Sequence, residues 1–485
     1  MEPISRRQAL QLGVLGVAGV AIGGAGLVQA TDARTPRGSG GAAFVEPSVL
    51  NSREGILRVE LEAAEREVTL AGQRATALSF NGQVPGPTLH LRPGDRMQVT
   101  MVNRLTTPTN LHVHGLHVSP QGNSDNPFVS IGPGEGFDYD FQIPIDHPPG
   151  TYWYHPHPHG SVADQVFGGL YGAIVITGDN EPASARERLL VISDITLDGA
   201  GRVAAATMAD VMMGREGELV LVNGQLNPHL AARPGERERW RVVNACTSRY
   251  LRLALPGQQV QLLGLDSDVL AHPLEVDEVL LAPGNRADLL ITVRAGTSAL
   301  RALGYDRGSS GMGMMGGRSS SSGPVTLATL AVAGSAVSPL PGVPDRARAA
   351  DLRRREPTRR RELTLGAGTG AGMGAQMGMG FTIDGQEFDH RRTDQAVIAG
   401  AMEEWTIRNT APMDHPFHLH VWPMQVVEHD GTALAEPTWR DVVNVPAGGQ
   451  AVVRIAFGDF TGRTVYHCHI LDHEDAGMMG VVEVT

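Results

Sequence analysis

The chain of 485 residues is longer than one ordinary domain and fits two to four domains. Apolar residues make up 41% of the chain, which is enough for buried cores, and the 60 glycines and 31 prolines favour short strands and turns over long helices. The net charge of −12 lacks the basic balance that phosphate binding requires, so we exclude nucleic acid as the main partner.

The N-terminal segment has the pattern of an export signal. Ser5-Arg6-Arg7 precedes an apolar run from Leu10 to Val28, and Val28-Gln29-Ala30 forms a small-residue cleavage site. Paired arginines are typical of the twin-arginine route of bacterial export. We expect residues 1–30 to be removed, which leaves a periplasmic or extracellular protein without a membrane span. The alternative is that the run stays as a membrane anchor.

One pattern occurs three times along the chain. An Asn-Gly or Asp-Gly turn precedes an alternating strand that ends in asparagine, and the first two copies have an Arg-Pro-Gly turn in between. The turns lie at Asn81, Asn223 and Asp384. A period of about 150 residues indicates tandem domains, because solenoid repeats are about 20–50 residues long. We predict an all-β protein with three β-sandwich domains at residues 45–180, 181–335 and 355–485.

Two stretches have low sequence complexity. Gly308 to Gly323 and Gly366 to Gly380 are rich in glycine and contain several methionines. Arg353 to Arg361 is rich in arginine, and we predict that it is a solvated linker.

Histidines form four clusters, two in each of the first and third predicted domains. Residues two apart on a β-strand face the same side, so each His-X-His pair directs two imidazoles to a shared site. One such pair is often a chance grouping, but four pairs in one chain indicate metal binding. The pairs are His112 and His114, His155 and His157, His418 and His420, and His467 and His469.

Cys468 lies between the last two histidines and is one of only two cysteines in the chain. On an extended strand its thiol faces away from His467 and His469, so one strand can link two metal sites that lie about 10 Å apart. Zinc is the rival metal for histidine sites, but zinc does not change oxidation state, and the His-Cys-His link would then have no purpose.

A blue-copper site needs two imidazoles, one thiolate and a weak axial thioether. Met479 is an alternative to the axial thioether that we predict. The residues that fit this donor set are His415, Cys468, His473 and Met478.

These four motifs, in this order, resemble those of the three-domain multicopper oxidases, which include laccases, bilirubin oxidases and bacterial cuprous oxidases. The resemblance extends over almost all of the chain that follows the signal. It implies three tandem cupredoxin-like Greek-key β-sandwich or barrel domains, of which the first and third hold a trinuclear copper cluster. It also implies four copper ions (one type 1, one type 2 and two type 3) and the reduction of dioxygen to water.

The resemblance implies a role for each cluster residue by its position. The type 1 ligands are His415, Cys468, His473 and Met478. The type 2 ligands are His112 and His418. The type 3 ligands are His114, His155, His157, His420, His467 and His469. His117 and His159 stay unassigned.

Two carboxyl groups resemble the acids that supply protons to dioxygen in this family. Glu474 follows His473 directly. Asp125 resembles the acid near the type 2 copper, although its spacing from His112 is longer than expected. Each is otherwise an ordinary ligand-orienting or surface carboxylate.

The reductant is predicted from the methionines, because thioethers are soft ligands that prefer Cu(I). Met413 lies two residues before His415, although Ala411-Pro412 occupies the place of an expected acidic residue. We predict oxidation of Cu(I) in copper detoxification by a monomer. The further candidate methionines are Met208, Met212, Met213, Met312, Met314, Met315, Met373, Met377 and Met379.

There are two alternatives to oxidation of Cu(I). The methionines are otherwise gap-filling residues in loops. The reductant is then a phenol or an aromatic amine, as in laccases. A protein of another class, a copper-binding electron carrier without oxygen chemistry, would not need the trinuclear set. We predict that the second domain, which has no evident ligand, acts only as a spacer and in docking.

Overall fold

The computed structural model describes residues 41–308, 323–346, 349–368 and 380–485. The predicted signal at residues 1–30 lies outside the described residues. Within them, strands predominate, which confirms the prediction of an all-β protein. The helices of this part are short: α1 (Val162–Gly168), α2 (Met208–Met213), α3 (Leu471–Asp475) and a 3₁₀ turn at Leu352–Arg354. The predicted copper-binding methionines outside the described residues are Met312, Met314, Met315, Met373, Met377 and Met379.

The first pair of sheets contains β1 (Val49–Asn51), β2 (Ile56–Leu70), β3 (Gln73–Phe80), β4 (Thr88–Leu91), β5 (Arg96–Asn103), β6 (His112–His114), β7 (Gly136–Gln142), β8 (Gly150–His155) and β9 (Gly172–Ile176). One sheet has the strand order β3-β2-β5-β7 and the other has the order β1-β4-β9-β8-β6. A hydrophobic core lies between them. We call this sheet pair the first domain.

The second domain contains β10 (Arg186–Ile195), β11 (Leu219–Val222), β12 (His229–Ala232), β13 (Arg237–Asn244), β14 (Leu251–Ala254), β15 (Gln259–Leu265), β16 (Asp268–Glu275), β17 (Glu278–Leu281), β18 (Arg286–Thr292), β19 (Gly296–Leu303) and β20 (Val325–Val332). Its sheets have the orders β11-β10-β13-β18-β15-β16 and β12-β20-β19-β14-β17. Its core is built around Trp240.

The third domain contains β21 (Arg359–Gly368), β22 (Gly380–Ile383), β23 (Gln395–Val397), β24 (Met402–Asn409), β25 (His415–Leu419), β26 (Met424–His429), β27 (Thr432–Arg440), β28 (Val442–Val445), β29 (Gln450–Ala456), β30 (Gly462–Cys468) and β31 (Met479–Val484). Its sheets have the orders β22-β21-β24-β29-β26-β27 and β23-β31-β30-β25-β28. Its core includes Trp405 and Cys468.

The three domains repeat one local structure, as the sequence pattern predicts. Asn81, Asn223 and Asp384 have φ values of 53°, 52° and 55°, and the glycine after each also has a positive φ. Two successive positive φ angles define the hairpin turn that Asn-Gly and Asp-Gly favour. The strand-end asparagines of the repeat are buried and bridge nearby backbone carbonyls in the same way in each domain: Asn103, Asn244 and Asn409.

The predicted linker from Arg353 to Arg361 is wrong at its C-terminal end. β21 begins at Arg359 and pairs in parallel with β24. The Arg361 side chain is only 8% exposed, and its guanidinium forms an ion pair of 2.6 Å with Glu403. Arg361 is therefore part of a paired strand and not of a solvated linker.

The three domains meet at one junction beside α3. Arg215, directly after α2, pairs with Asp164 of α1 at 2.7 Å and with Asp472 of α3 at 3.1 Å. Asp475 accepts backbone hydrogen bonds from Gly160 and from the first turn of α1. These contacts fix α3, which carries His473, against the other two domains. Among the described residues, none of the helices has the length and apolar character needed to cross a membrane.

Candidate metal centre

Cys468 and the histidine before it face opposite sides of β30. Where β25 pairs with β30, Phe417 lies opposite Cys468 and His418 lies opposite His467. Directly opposite residues share one face of a sheet. Cys468 therefore lies in the third-domain core together with Phe417. His467 faces the first domain, where the Nε2 of His157 is 3.2 Å from its own Nε2.

The first group of candidate ligands lies inside the third domain. The ligand atoms of His415, Cys468 and His473 all lie within 4.8 Å of one another, and the three side chains are fully buried. His415 Nδ1 is 3.3 Å from Cys468 Sγ and 3.4 Å from His473 Nδ1. Burial lowers the pKa of His415 to about 3 and also lowers the pKa of His473, so both imidazoles are neutral and able to bind a metal.

The strand register favours Met478 over Met479 as the thioether of this group. Met479 lies opposite His467 in the pairing of β30 with β31, and so shares the face of that histidine. The carbonyl of Met478 accepts a hydrogen bond of 3.0 Å from the Cys468 N–H. Met478 is fully buried in the hydrophobic cluster that contains Cys468.

The second group is a cluster of eight histidines between the first and third domains, each at most 2% exposed. In each of three sets of histidines the ligand atoms lie within 4.8 Å of one another, and two of these sets join residues of both domains. The ring of His469 completes the cluster, with its centroid 4.9 Å from that of His114 and 5.7 Å from that of His467. The three sets are His112 with His114 and His155, His112 with His418 and His420, and His157 with His420 and His467.

Many ring nitrogens of this cluster are buried without a hydrogen-bond partner. A buried polar atom is normally paired, because an unpaired one costs about 1–3 kcal/mol. His467 Nε2 also lies 3.2 Å from Nε2 of both His157 and His420, so nitrogens converge on one another. Imidazole nitrogens arranged in this way fit copper ions. The unpaired atoms are His112 Nε2, His114 Nδ1, His155 Nε2, His418 Nε2, His420 Nδ1 and both nitrogens of His469.

Burial keeps seven of these rings unprotonated, as metal binding requires. It lowers the pKa of His155 to about 3 and that of His157 to about 4. It also lowers the pKa values of His112, His114, His418, His420 and His469.

Comparison with known proteins identifies the family. Models of the multicopper oxidase family match residues 62–181, 153–309 and 356–485. The structure is similar to that of a Campylobacter jejuni multicopper oxidase described as a metallo-oxidase, with a TM-score of 0.81 and 32% identity, covering 92% of this chain and 96% of that chain. The chain belongs to the multicopper oxidase family.

Two curated relatives cover most of the multicopper oxidase chain. The multicopper oxidase mco of Staphylococcus haemolyticus is 29% identical over 424 residues, which cover 85% of this chain and 84% of that protein. The laccase of Bacillus subtilis is 25% identical over 473 residues, which cover 84% and 90%. The protein is thus a copper-dependent oxidoreductase that uses dioxygen, and the predicted fold of three tandem cupredoxin-like domains is confirmed.

Asp125 lies beside the histidine cluster of this multicopper oxidase, despite its long spacing from His112. Its Oδ1 accepts a hydrogen bond from Val113 N at 3.1 Å and lies 2.9 Å from His112 Nδ1. Its Oδ2 has no hydrogen-bond partner and is 4.0 Å from His420 Nδ1. Burial raises the pKa of Asp125 to about 8, so this carboxyl group holds a proton at neutral pH.

Glu474 is fully buried beside a different pair of cluster histidines. Its Oε2 is 3.0 Å from His467 Nδ1 and its Oε1 is 3.3 Å from His157 Nε2, both within ion-pair distance but without the geometry of a hydrogen bond. Burial favours the protonated form of Glu474, but the attraction of His157, which is charged below its own pKa of about 4, outweighs it and lowers the pKa of Glu474 to about 2. Glu474 is therefore a carboxylate that can accept and pass on a proton.

One methionine outside the third-domain group contacts it through its backbone. The carbonyl of Met212 in α2 is 3.2 Å from His473 Nε2, and Met208 at the start of α2 is 58% exposed. Met413 is buried, and its carbonyl accepts a hydrogen bond from Asn409 Nδ2. An acidic residue does follow it, but the Asp414 carboxylate is taken up by hydrogen bonds from Tyr305, Asn444 and Ala447.

The two unassigned histidines take no part in the candidate metal groups. His159 is exposed, and its ring contacts Phe388. His117 is paired with Asp459 at 2.6 Å and with the Val421 carbonyl at 2.9 Å. The exposure of His159 agrees with the predicted register, in which His155 and His157 face inward.

Asp441 is a residue of the site that the sequence motifs do not reveal. Its Oδ1 is 3.0 Å from His114 Nε2, and its backbone carbonyl is 2.7 Å from His418 Nδ1. Asp441 lies between β27 and β28, more than 300 residues from His114. A single aspartate at the end of a strand has no spacing that points to a metal site.

Proposed function

We propose that this oxidase takes electrons from Cu(I). Four Cu(I) ions each lose one electron and become Cu(II), and four electrons with four protons reduce one dioxygen to two waters. The resident copper ions would supply the one-electron chemistry and the binding of dioxygen. The choice of Cu(I) rests on one observation: α2, a helix that contains methionines, covers the imidazole of His473.

We propose four resident coppers, held in two places. The type 1 copper fits the third-domain core, where burial excludes water and a thiolate and thioether favour the reduced ion. The type 2 and type 3 coppers fit the histidine cluster. His112 and His418 would bind the type 2 copper, and the remaining six histidines would bind the two type 3 coppers. Cys468 is covalently continuous with His467 and His469, so one backbone segment connects the two places. The type 1 ligands are His415, Cys468, His473 and Met478.

The surroundings of His473 support Cu(I) over a bulky organic reductant. The Met212 carbonyl contacts the outer nitrogen of the imidazole, and Phe381 stacks on its ring with a centroid distance of 4.0 Å. An aromatic substrate therefore has no free edge of His473 to contact. Cu(I) needs only thioether sulfurs, which α2 carries at Met208, Met212 and Met213.

The described residues that flank the two methionine-rich sequence segments lie close to Met413 and to His473. Gly308 directly precedes the segment with Met312, Met314 and Met315, and a Cβ atom at Gly308 would lie 2.5 Å from the Pro412 carbonyl and 3.3 Å from Met413 Cα. Phe381, which stacks on His473, closely follows the segment with Met373, Met377 and Met379.

Proton supply is assigned to the two buried carboxyl groups. Asp125 lies at the His112 side of the cluster and holds a proton at neutral pH. Glu474 lies between His157 and His467. Their opposite protonation states fit a donor and an acceptor that pass protons to the cluster.

We also propose the predicted cellular setting and domain limits. The paired arginines and the apolar run support export by the twin-arginine route, with removal of residues 1–30. The three sheet pairs, at residues 49–176, 186–332 and 359–484, fall within the domain limits 45–180, 181–335 and 355–485.

The test compares dioxygen uptake by the copper-loaded enzyme with Cu(I) and with a substituted phenol. We expect the triple variant Met208→Leu, Met212→Leu and Met213→Leu to lower kcat/KM for Cu(I) about tenfold, a change of about 1.4 kcal/mol, because leucine keeps the volume but not the thioether. The phenol should react as before or faster. Met413→Leu is expected to act in the same direction.

Met402→Leu is the matched control, since Met402 is a buried methionine of β24 that belongs to no candidate metal group. Equal loss on both reductants in the triple variant would contradict Cu(I) as the substrate. A phenol with a higher kcat/KM than Cu(I) in the unmodified enzyme would favour a laccase-like oxidase. Absence of any dioxygen uptake would favour an electron carrier.

A further inference from the structure

Arg286 of the second domain is fully buried and contacts all three domains. Its Nη1 and Nη2 bind the two carboxylate oxygens of Asp441 in the third domain at 2.5 and 2.6 Å. Its Nε donates to the Thr151 carbonyl of the first domain at 3.0 Å. Its Nη1 is also 3.3 Å from Asp266 of its own domain. A guanidinium that binds a carboxylate through two parallel hydrogen bonds fixes both the position and the plane of that carboxylate.

Asp441 in turn holds two histidines that come from different domains. Its carboxylate accepts the proton of His114 Nε2, so the lone pair of that ring is on Nδ1. Its backbone carbonyl accepts the proton of His418 Nδ1, so the lone pair of that ring is on Nε2. Both of those remaining nitrogens are buried and unpaired, and the two rings stack 3.9 Å apart. One residue thus decides which nitrogen of each ring is free to bind a metal.

The loop before Arg286 also packs directly on the cluster. Gly284, between β17 and β18, has a positive φ, and a Cβ atom there would lie 2.9 Å from His469 Nε2. On the other side of the ion pair, a Cβ atom at Gly115 would lie 2.5 Å from Arg286 Nη2 and 2.8 Å from Asp441 Oδ2. Glycine at both positions lets the second-domain loop and the ion pair approach the histidines closely.

The second domain anchors Arg286 independently of Asp441. Asp266 accepts hydrogen bonds from the Arg286 backbone N–H at 3.0 Å and from Asn285 Nδ2 at 2.8 Å. The same Asn285 amide donates to the Val442 carbonyl of the third domain at 3.1 Å. Asp266 thus binds both the backbone and the guanidinium of Arg286, so the position of Arg286 does not depend on the histidine cluster.

We propose that Arg286 is a positioning residue for the metal cluster: through Asp441 it sets the orientation and the metal-facing nitrogen of His114 and His418. The second domain, predicted as a spacer, therefore completes the cluster that the first and third domains carry. The proposal rests on the copper ligand set given above. Partners that orient metal-binding histidines typically change metal affinity by about 10- to 100-fold when they are removed.

The test uses the copper-loaded enzyme and the variants Arg286→Met and Arg286→Lys. We measure copper per chain, the type 2 signal in electron paramagnetic resonance, and the visible band of thiolate-bound Cu(II). We expect Arg286→Met to weaken copper binding by the histidine cluster about 10- to 100-fold, with a lower copper content and a weaker type 2 signal, while the thiolate band stays unchanged. Arg286→Lys keeps the positive charge but not the two parallel hydrogen bonds to Asp441. We therefore expect a smaller loss of copper binding than in Arg286→Met, together with an altered type 2 signal.

Arg188→Lys is the matched control. Arg188 is also buried in the second domain and binds Glu238 through two hydrogen bonds of 2.7 and 2.8 Å, but it belongs to no candidate metal group. A merely structural role of Arg286 would lower the melting temperature in both lysine variants and leave the type 2 signal unchanged in both. That result would overturn the proposal.

Two further outcomes keep the test decisive. If Arg286→Met fails to fold, Arg286→Lys alone decides, and full type 2 copper with an unchanged signal in that variant rejects the proposal. If the unmodified enzyme binds only the copper of the thiolate site, the histidine ligand set itself is wrong. The positioning role of Arg286 would then be wrong as well. The copper content of the unmodified enzyme distinguishes this outcome from failure of the positioning role alone.

Discussion

Arg215 binds the carboxylate of Asp472 twice, through its backbone N–H at 2.8 Å and through its Nη2 at 3.1 Å. Asp472 directly precedes His473, so this pair connects the end of α2 in the second domain to a candidate copper ligand in the third. The Arg215 guanidinium also reaches Asp164 of the first domain. Arg215 of the second domain therefore helps to hold α3 of the third domain against the first.

We expect Arg215→Met to lower the free energy of unfolding of the copper-free protein by about 3–5 kcal/mol, since Asp472 would stay buried without its cation. Equilibrium denaturation in urea measures this change. Asp164→Asn is the control, because the Asp164 side chain is 68% exposed and its loss should cost less than about 1 kcal/mol. Equal losses in the two variants would show that burial of Asp472 is not the cause.

Replacement of the core thiol should separate the two metal groups. We expect Cys468→Ser to abolish the intense visible band and the oxidation of reductants, while the histidine cluster still binds copper, because its eight imidazoles are unchanged. Metal analysis and optical spectra check this. Cys246→Ala is the control, because Cys246 is the other buried cysteine of the described residues and lies in the second domain. This variant should keep the full visible band. A colourless Cys246→Ala variant would contradict the assignment.

The role of Glu474 is tested by Glu474→Gln, which keeps the size of the side chain but cannot accept a proton. We expect kcat for dioxygen reduction to fall about 100-fold, in the range usual for loss of a general acid or base. Copper content and the visible band should stay the same. Glu483→Gln on β31, outside the cluster, should turn over normally. Loss of copper from Glu474→Gln would instead assign Glu474 a structural role.

The pair of His117 and Asp459 predicts a pH dependence of stability. Burial opposes protonation of His117, but the hydrogen bonds to Asp459 and to the Val421 carbonyl outweigh it and raise the pKa of His117. A raised folded-state pKa adds stability that is fully present below the unfolded-state pKa and is lost as pH rises through the folded-state pKa. The melting temperature of His117→Gln should thus lie below that of the unmodified protein at pH 5.5 and approach it at pH 9. A constant difference across this range would exclude the charged pair as the cause.

The sequence allowed the cluster residues and the repeat to be predicted because both depend on local rules. Alternation along a strand places His467 and Cys468 on opposite faces whatever the rest of the fold does. Asn-Gly and Asp-Gly specify the turns at Asn81, Asn223 and Asp384 through their tolerance of positive φ. The third copy lacks the Arg-Pro-Gly turn in sequence, but Gly400, with a φ of 85°, makes a comparable turn before β24.

The parts that could not be predicted depend on residues far apart in the chain. Arg286 and Asp441 are 155 positions apart, and neither type of residue is unusual in a strand or turn. The covering of His473 by α2 was not predicted either, since a helix of six residues leaves no periodic signal. In both cases the partner is fixed by how the second domain packs on the others.

The separation of the cluster ligands along the chain also determines when the protein can acquire its metal. His157 and His467 are 310 positions apart, yet their rings touch. At about 5–20 residues per second, a ribosome makes the second roughly 15–60 seconds after the first. A partly synthesised or truncated polypeptide therefore exposes isolated histidine pairs that bind metal weakly. The complete cluster can therefore take up its metal only after both segments have been synthesised and the domains have packed together.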